Sequence, residues 1–262
     1  MNKSRNTYPH ILKNYLSMKS AINSIETDPD TTFTPIKVFS PADIDLFGQV
    51  DLSRGETFDF FGSVYSDEFK INMISFFESL GNNNKMSKSL FKILVAKAVI
   101  PFLAATGKDC LWMTIRVSIP VETYLIPRWH FDGPFYDTVD SYQLKLAGTL
   151  IGPGTLFKKT NHLDVANFVN EYRKLYSDFK REDYGGEKDI ANRQLLDEYT
   201  KNLETVQLTN DQIGIFTVGK IPKVAIHSEP NIDTPRLFFS VVSGSATNIK
   251  ELATRWNEKF VD

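Results

Sequence analysis

A run rich in β-branched and aromatic residues, CLWMTIRVSIPVETYLIPRW at 110–129, leads directly into His130-Phe131-Asp132. Such a run reads as two strands broken near Pro120. Residues two apart on a strand project to the same side, so His130 and Asp132 can chelate one ion. The chain here is constrained to a sheet whose strand end carries a ligand pair.

The second half repeats the strand pattern around another imidazole. DQIGIFTVGKIPKVAIH, ending at His227, holds two short apolar segments joined by a Gly-Lys-Ile-Pro turn. The polar loop SEPNIDTP then precedes RLFFSVV, a strand that Arg236 opens. Alternation puts Arg236, Phe238, Ser240 and Val242 on one face and Leu237, Phe239 and Val241 on the other. A guanidinium at the mouth of an apolar strand suits a carboxylate, to which it offers a planar, permanently charged fork. Two imidazoles and one carboxylate on one face of an octahedron leave the opposite face open, as a non-haem Fe(II) centre needs for a co-substrate and O₂. Each residue also has an ordinary reading: histidines at strand ends are commonly structural, Asp132 before Gly133-Pro134 forms turns, and arginines such as Arg236 commonly pair on surfaces. Their common order and strand context favour a site.

H-x-D, a long gap, a distal His and a later Arg or Lys is the pattern of the iron(II)/2-oxoglutarate-dependent dioxygenases, which this chain resembles from about Cys110 to Val242. The resemblance implies a mainly β fold with flanking helices: a double-stranded β-helix (jelly-roll, cupin-like) core buttressed by N-terminal helices. Strands are read near 111–118, 122–131, 141–151, 154–158, 205–209, 212–217, 222–227 and 236–243. It implies Fe(II) on His130, Asp132 and His227, and 2-oxoglutarate held by Arg236, with Ser240 on the same strand face. Many relatives place Ser two residues after the Arg, where this chain has Phe238. Others use a strand lysine, and Lys145 is the alternative anchor here. The activity implied is hydroxylation of an unidentified substrate with O₂, coupled to decarboxylation of 2-oxoglutarate to succinate and CO₂. The alternative is a non-catalytic cupin-like barrel that binds a small molecule or a protein. Trp129, Phe131, Phe135 and Tyr136 near the ligand pair suit an apolar, aromatic or peptidyl substrate, and are equally ordinary barrel filling.

At 262 residues the chain is read as one domain: an N-terminal helical buttress over 1–109, a β core over 110–245 with a helical insertion at 160–204, and a C-terminal helix over 246–262. A net charge of −2 provides no field for nucleic acid or an anionic membrane. One cysteine, Cys110, excludes an intrachain disulfide and favours a reducing, cytoplasmic setting. No apolar run reaches membrane-spanning length by inspection, and the basic opening segment reads as a terminal helix more than a transit peptide.

SDEFKINMISFFESLG has Ser66 as N-cap and Gly81 as stop, and KSLFKILVAKAVIPFLAATG is a more apolar helix that Pro101 would kink or split before Gly107. Within the insertion, Val165, Phe168, Val169, Tyr172, Leu175 and Phe179 recur at helical spacing, capped by Thr160 or Asn161. A second helix follows Tyr184-Gly185-Gly186. These helices are read either as a lid over the metal mouth or as a hairpin packed on the barrel. GPGTLF is read as a hairpin turn and not a phosphate loop.

Overall fold

The computed structural model describes residues 9–121, 125–137 and 142–262. Its N-terminal part is mixed and not purely helical. Helix α1 (Pro9–Thr27) precedes strand β1 (Phe33–Lys37), helix α2 (Pro41–Phe47), strand β2 (Glu56–Ser63) and helices α3 (Asp67–Ser79), α4 (Asn84–Leu94) and α5 (Ile100–Thr106). Strand β1 tolerates Pro35 because it lies at a sheet edge, where a missing N–H breaks no ladder on the open side. Strand β2 alternates exposed Thr57 and Asp59 with buried Phe58 and Phe60.

Pro101 does not split its helix. A π-helical turn at Val95–Val99 carries α4 into α5, and the wider turn accommodates the proline where the i−4 carbonyl would clash. The resulting helix, Asn84–Thr106, has 23 residues and is long and apolar enough to cross a membrane by length and composition, unlike the expectation from single runs. In this fold Leu90, Leu94, Ala98, Val99 and Phe102 are completely buried in the main core, the pattern of a central helix. Gly107, at φ 67°, closes it in the left-handed conformation.

The remaining elements are β3 (Cys110–Ser118), β4 (Gln143–Ile151), β5 (Leu156–Lys158), α6 (His162–Leu175), α7 (Glu187–Thr200), β6 (Thr205–Gln207), β7 (Gln212–Val218), β8 (His227–Ser228), β9 (Arg236–Gly244), α8 (Ala246–Arg255) and β10 (Phe260–Val261). The strand expected over 122–131 is absent from its described part: residues 122–124 lie outside the described residues, 125–129 are irregular, and His130 makes a single bridge to His227. Pro127 withholds a ladder donor there. Residues 222–226 are also not strand: a turn closed by Lys223 N–H on the Lys220 carbonyl opens the segment, Ala225 N–H makes an isolated bond to the Thr217 carbonyl, and the ladder with β5 begins at His227. The C-terminal helix stops at Arg255, and Asn257 at φ 57° redirects the chain into β10.

Seven strands form one sheet in the order β1-β7-β4-β9-β3-β2-β10, antiparallel except for β10 with β2. Strands β6-β5-β8 form a second sheet. Alternation divides the faces of the large sheet. Leu111, Met113, Ile115 and Val117 of β3, with Leu237, Phe239 and Val241 of β9, enter the core shared with α1–α5; each fully buried side chain of this size contributes ~1.5–3 kcal/mol. The opposite face meets the small sheet through Ala147, Phe157, Phe216, Val218 and Ala225. Farther along, that face turns polar and opens into a cavity.

Helices α6 and α7 lie behind the small sheet and do not roof the cavity. Val165, Phe168, Val169 and Leu196 pack with Trp129, Val224 and Ile226, and no described residue of the insertion lines the cavity. The lid expectation is therefore corrected to a buttress. Trp129 and Phe131 flank His130, and Ile226 precedes His227, so alternation aims them outward into the helices as the imidazoles turn inward. Buried Lys158 reinforces the attachment by donating to the Thr200 and Leu203 carbonyls at the end of α7, under the Trp129 ring. Asn161, not Thr160, caps α6, in a capping box with Asp164, and Phe179 lies beyond its end.

Candidate metal and co-substrate site

His130 and His227 are joined backbone to backbone, each N–H donating to the other's carbonyl at 2.9 Å. Their ring centroids are 4.3 Å apart. Asp132 is held by its own carbonyl, which accepts from Gly219 N–H at 2.9 Å. Gly219 has φ 94°, a conformation that favours glycine. One ligand atom from each of His130, Asp132 and His227 lies within 4.8 Å of the others. Asp132 Oδ1 is 3.9 Å from His130 Nε2, and Oδ2 is 3.6 Å from His227 Nε2.

The protonation states suit coordination. His130 Nδ1 donates to the Arg128 carbonyl at 2.7 Å and His227 Nδ1 to the Ala225 carbonyl at 3.1 Å. A carbonyl only accepts, so Nδ1 carries the proton and Nε2 keeps its lone pair for the cavity. Burial pushes His130 down to about 3, helped by His227 and Arg128, and burial likewise lowers His227. Both rings are neutral at pH 7. Burial alone would raise the Asp132 carboxyl, but the Lys145 charge overrides it and holds the group well below the usual carboxylate range. The donor set of two neutral imidazoles and a carboxylate fits a divalent transition metal.

Arg236 occupies the same cavity at 2% exposure. Its Nε donates to the Pro153 carbonyl at 2.9 Å, and Nη2 donates to Thr149 Oγ1 and Thr155 Oγ1 at 3.0 and 2.9 Å. Its guanidinium stacks over Phe238, 4.6 Å from the ring centroid. Burial lowers its pKa to about 10, so it stays charged at pH 7. Among the described residues no carboxylate pairs with it. The loop that receives it needs its glycines: Gly152 has φ 83°, and a Cβ at Gly154 would fall 1.8 Å from the Leu208 carbonyl oxygen.

Ser240 lines the cavity two residues beyond Phe238, across the sheet from Thr114. Lys145 also lines it, but its Nζ is bound to Asp132 Oδ2 at 2.8 Å. Of the four aromatic residues expected around the ligand pair, Phe135 alone lines the cavity. Trp129 and Phe131 face the helices, and the buried Tyr136 hydroxyl donates to the Ser243 carbonyl.

The sequence reading did not single out Arg128 and Glu229. They form a two-point pair, Nη2 to Oε1 at 2.8 Å and Nε to Oε2 at 3.3 Å. Arg128 lies two before His130 and Glu229 two after His227, so they are cross-strand neighbours on the ligand side. That i−2/i+2 relation becomes visible only once the bridge is known. The polar cavity face of β3, Thr114, Arg116 and Ser118 beside Trp112, was also missed, although its alternation with Leu111, Met113, Ile115 and Val117 is plain in the sequence.

No protein-family model matches this chain, and no curated protein matches it. Solved structures to which it is similar include the non-haem α-ketoglutarate-dependent carbocyclase SnoK from nogalamycin biosynthesis, 14% identical over 86% of this chain and 83% of that one, with a TM-score of 0.44. A Pseudomonas putida prolyl-4-hydroxylase is 10% identical over 87% and 98%, with a TM-score of 0.40. A Trichoplax adhaerens prolyl hydroxylase, solved with a hypoxia-inducible-factor peptide fragment, is 13% identical over 97% and 99%, with a TM-score of 0.38. Likeness at this level carries no inference about activity, which has to come from the residues of the cavity.

Proposed function

We propose that the chain is an Fe(II)- and 2-oxoglutarate-dependent oxygenase acting on a small-molecule or peptidyl substrate, with its two sheets as the two walls of a double-stranded β-helix. His130, Asp132 and His227 would hold the metal, and Arg236 the far carboxylate of 2-oxoglutarate. The observation that carries this reading is a buried guanidinium without a carboxylate partner among the described residues, in the same cavity as two tautomer-locked imidazoles and a carboxylate. A buried cation left unpaired is costly, and a carboxylate ligand would offset that cost with a charge-assisted fork.

When bound, iron and 2-oxoglutarate supply O₂ activation, with decarboxylation of the co-substrate to succinate and CO₂ and hydroxylation of the substrate as the outcome. The chain's own groups bind and orient. Arg236, with Thr149 and Thr155 fixing its plane, selects a ligand with a terminal carboxylate. Lys145 holds one Asp132 oxygen and leaves the other for the metal. The Arg128–Glu229 pair clamps both histidine-bearing segments without adding net charge. Phe157 and Phe216 pack against the His227 ring and exclude water from that side.

The test is Fe(II)-dependent formation of succinate from 2-oxoglutarate under O₂, with ascorbate supplying the two electrons that a substrate would otherwise give. The expected result is slow turnover by the wild type without added substrate and none by His130→Ala, Asp132→Ala or His227→Ala at unchanged circular dichroism. Succinate formation by Asp132→Ala at the wild-type rate would refute the assignment.

A further inference from the structure

We infer that the substrate of this cavity carries an anionic group, a carboxylate or a phosphate, which Arg116 receives at the cavity mouth while Trp112 and Trp256 hold the adjoining planar or apolar part. The inference rests on the oxygenase reading for the word substrate, and on the cavity alone for the anion site.

The charges of the cavity leave Arg116 over. Lys145 is spent on Asp132, and Arg128 on Glu229. Arg236 is the buried cation assigned to the co-substrate. Arg116 lines the same cavity, is exposed, and has no hydrogen-bond or ion-pair partner among the described residues. The two acids on the neighbouring strand are engaged elsewhere: Asp59 Oδ1 accepts from Trp112 Nε1 at 3.0 Å and from Thr114 Oγ1 at 2.6 Å, and Glu56, opposite Val117 in the ladder, pairs with Arg54 at 3.7 Å.

Arg116 and Arg236 serve different sides of β9. Every side-chain hydrogen bond that Arg236 makes among the described residues goes to β4 or to the loop that follows it. Arg116 rises from β3, on the other side of β9, directly across from Phe238. Like charges in one cavity repel, and Arg116 helps to depress the Arg236 pKa, so the cavity favours a second anion beside the co-substrate.

Farther along the same face of β3, beyond Thr114, the cavity wall is aromatic. Trp112 stands 5.6 Å from Trp256 and 5.5 Å from Phe135, ring centroid to ring centroid. The cavity volume is about 360 Å³, at the small end of the ~300–1,000 Å³ usual for ligand sites. The metal and co-substrate residues line the same space, so what remains suits a compact ligand, with Arg116 placed to receive an anionic head. An arginine fork binds either a carboxylate or a phosphate, so the arms of the test have to separate them.

Phenylacetate, phenyl phosphate and neutral phenylacetamide should be titrated calorimetrically into the wild type, Arg116→Gln and Arg236→Gln, each saturated with Mn(II) and 2-oxoglutarate. Binding of 2-oxoglutarate to each protein is measured in parallel. At least one anionic probe should bind the wild type tenfold or more tighter than the amide, and the better of the two identifies the head group. Arg116→Gln should abolish that preference and change 2-oxoglutarate affinity less than threefold. Equal binding of amide and anions by the wild type, or no binding of any probe, overturns the proposal. So does an Arg116→Gln variant that loses 2-oxoglutarate as severely as Arg236→Gln. If 2-oxoglutarate fails to bind the wild type while the anion preference persists and depends on Arg116, the oxygenase reading fails and the anion site stands.

Discussion

Lys145 reaches Asp132 and not the space before Arg236: its Nζ is 2.8 Å from Oδ2, packed near the rings of Phe135 and Phe216. The two cations that the sequence offers as rival anchors for 2-oxoglutarate thus have separate tasks. Asp132 consumes one, and the other has only neutral partners among the described residues.

That division predicts a ranking. Arg236→Ala should raise the dissociation constant for 2-oxoglutarate about thirtyfold to a hundredfold, the equivalent of losing ~2–3 kcal/mol of charge-assisted hydrogen bonding. Lys145→Ala should change it less than threefold. Isothermal titration with Mn(II) present measures both, and the reverse ranking would make Lys145 the anchor.

The insertion at 160–204 backs the histidine-bearing segments, so removing it should damage the site from behind. Deletion would expose Trp129, Val224 and Ile226, each worth ~1.5–3 kcal/mol of burial, and would strip Lys158 of its carbonyl partners. The deleted protein is expected to lose Mn(II) binding and cooperative thermal unfolding together. A folded deletion variant that binds Mn(II) normally would show that these helices are dispensable to the site.

Asp43 couples the N-terminal elements to the central helix. It completes the α2 capping box with Ser40 and forms an ion pair with Lys97 in the π-helical turn. Burial would raise its pKa, but hydrogen bonds from Lys97 and Ser40 more than offset this and lower it. A carboxyl with a depressed folded pKa contributes stability above its unfolded value of ~3.9 and loses it as pH falls through the folded value. Asp43→Asn should therefore cost about 2 kcal/mol in urea unfolding at pH 7. The gap between variant and wild type should shrink below pH ~4. A gap that is constant with pH would assign the effect to packing.

The sequence made legible those features that depend on local alternation and spacing. His130, Asp132, His227 and Arg236 meet in one cavity as their order in the chain suggested, although the strands read over 122–131 and 222–227 shrink to a bridge at His130 and a two-residue strand at His227; β3, β4, β7 and β9 lie close to the ranges read for them. What was illegible depends on partners distant in the chain. FTPIK does not look like a strand while Pro35 is weighed alone, and becomes one through pairing with β7. The Phe-rich ETFDFFGS reads as generic core until β3 supplies its register. Nothing local distinguishes a lid from a buttress for α6 and α7, and the outward alternation of Trp129 and Phe131 beside His130 decides it.

The central claim, that His130, Asp132 and His227 bind iron on which 2-oxoglutarate chelates under the control of Arg236, is tested most directly by anaerobic absorption spectroscopy with Fe(II) and increasing 2-oxoglutarate. The account predicts a weak visible charge-transfer band in the wild type, its loss in His130→Ala and His227→Ala, and its appearance in Arg236→Ala only at much higher 2-oxoglutarate. Folded wild-type protein that develops no band at saturating Fe(II) and 2-oxoglutarate, or a His227→Ala variant whose band matches the wild type, would contradict it.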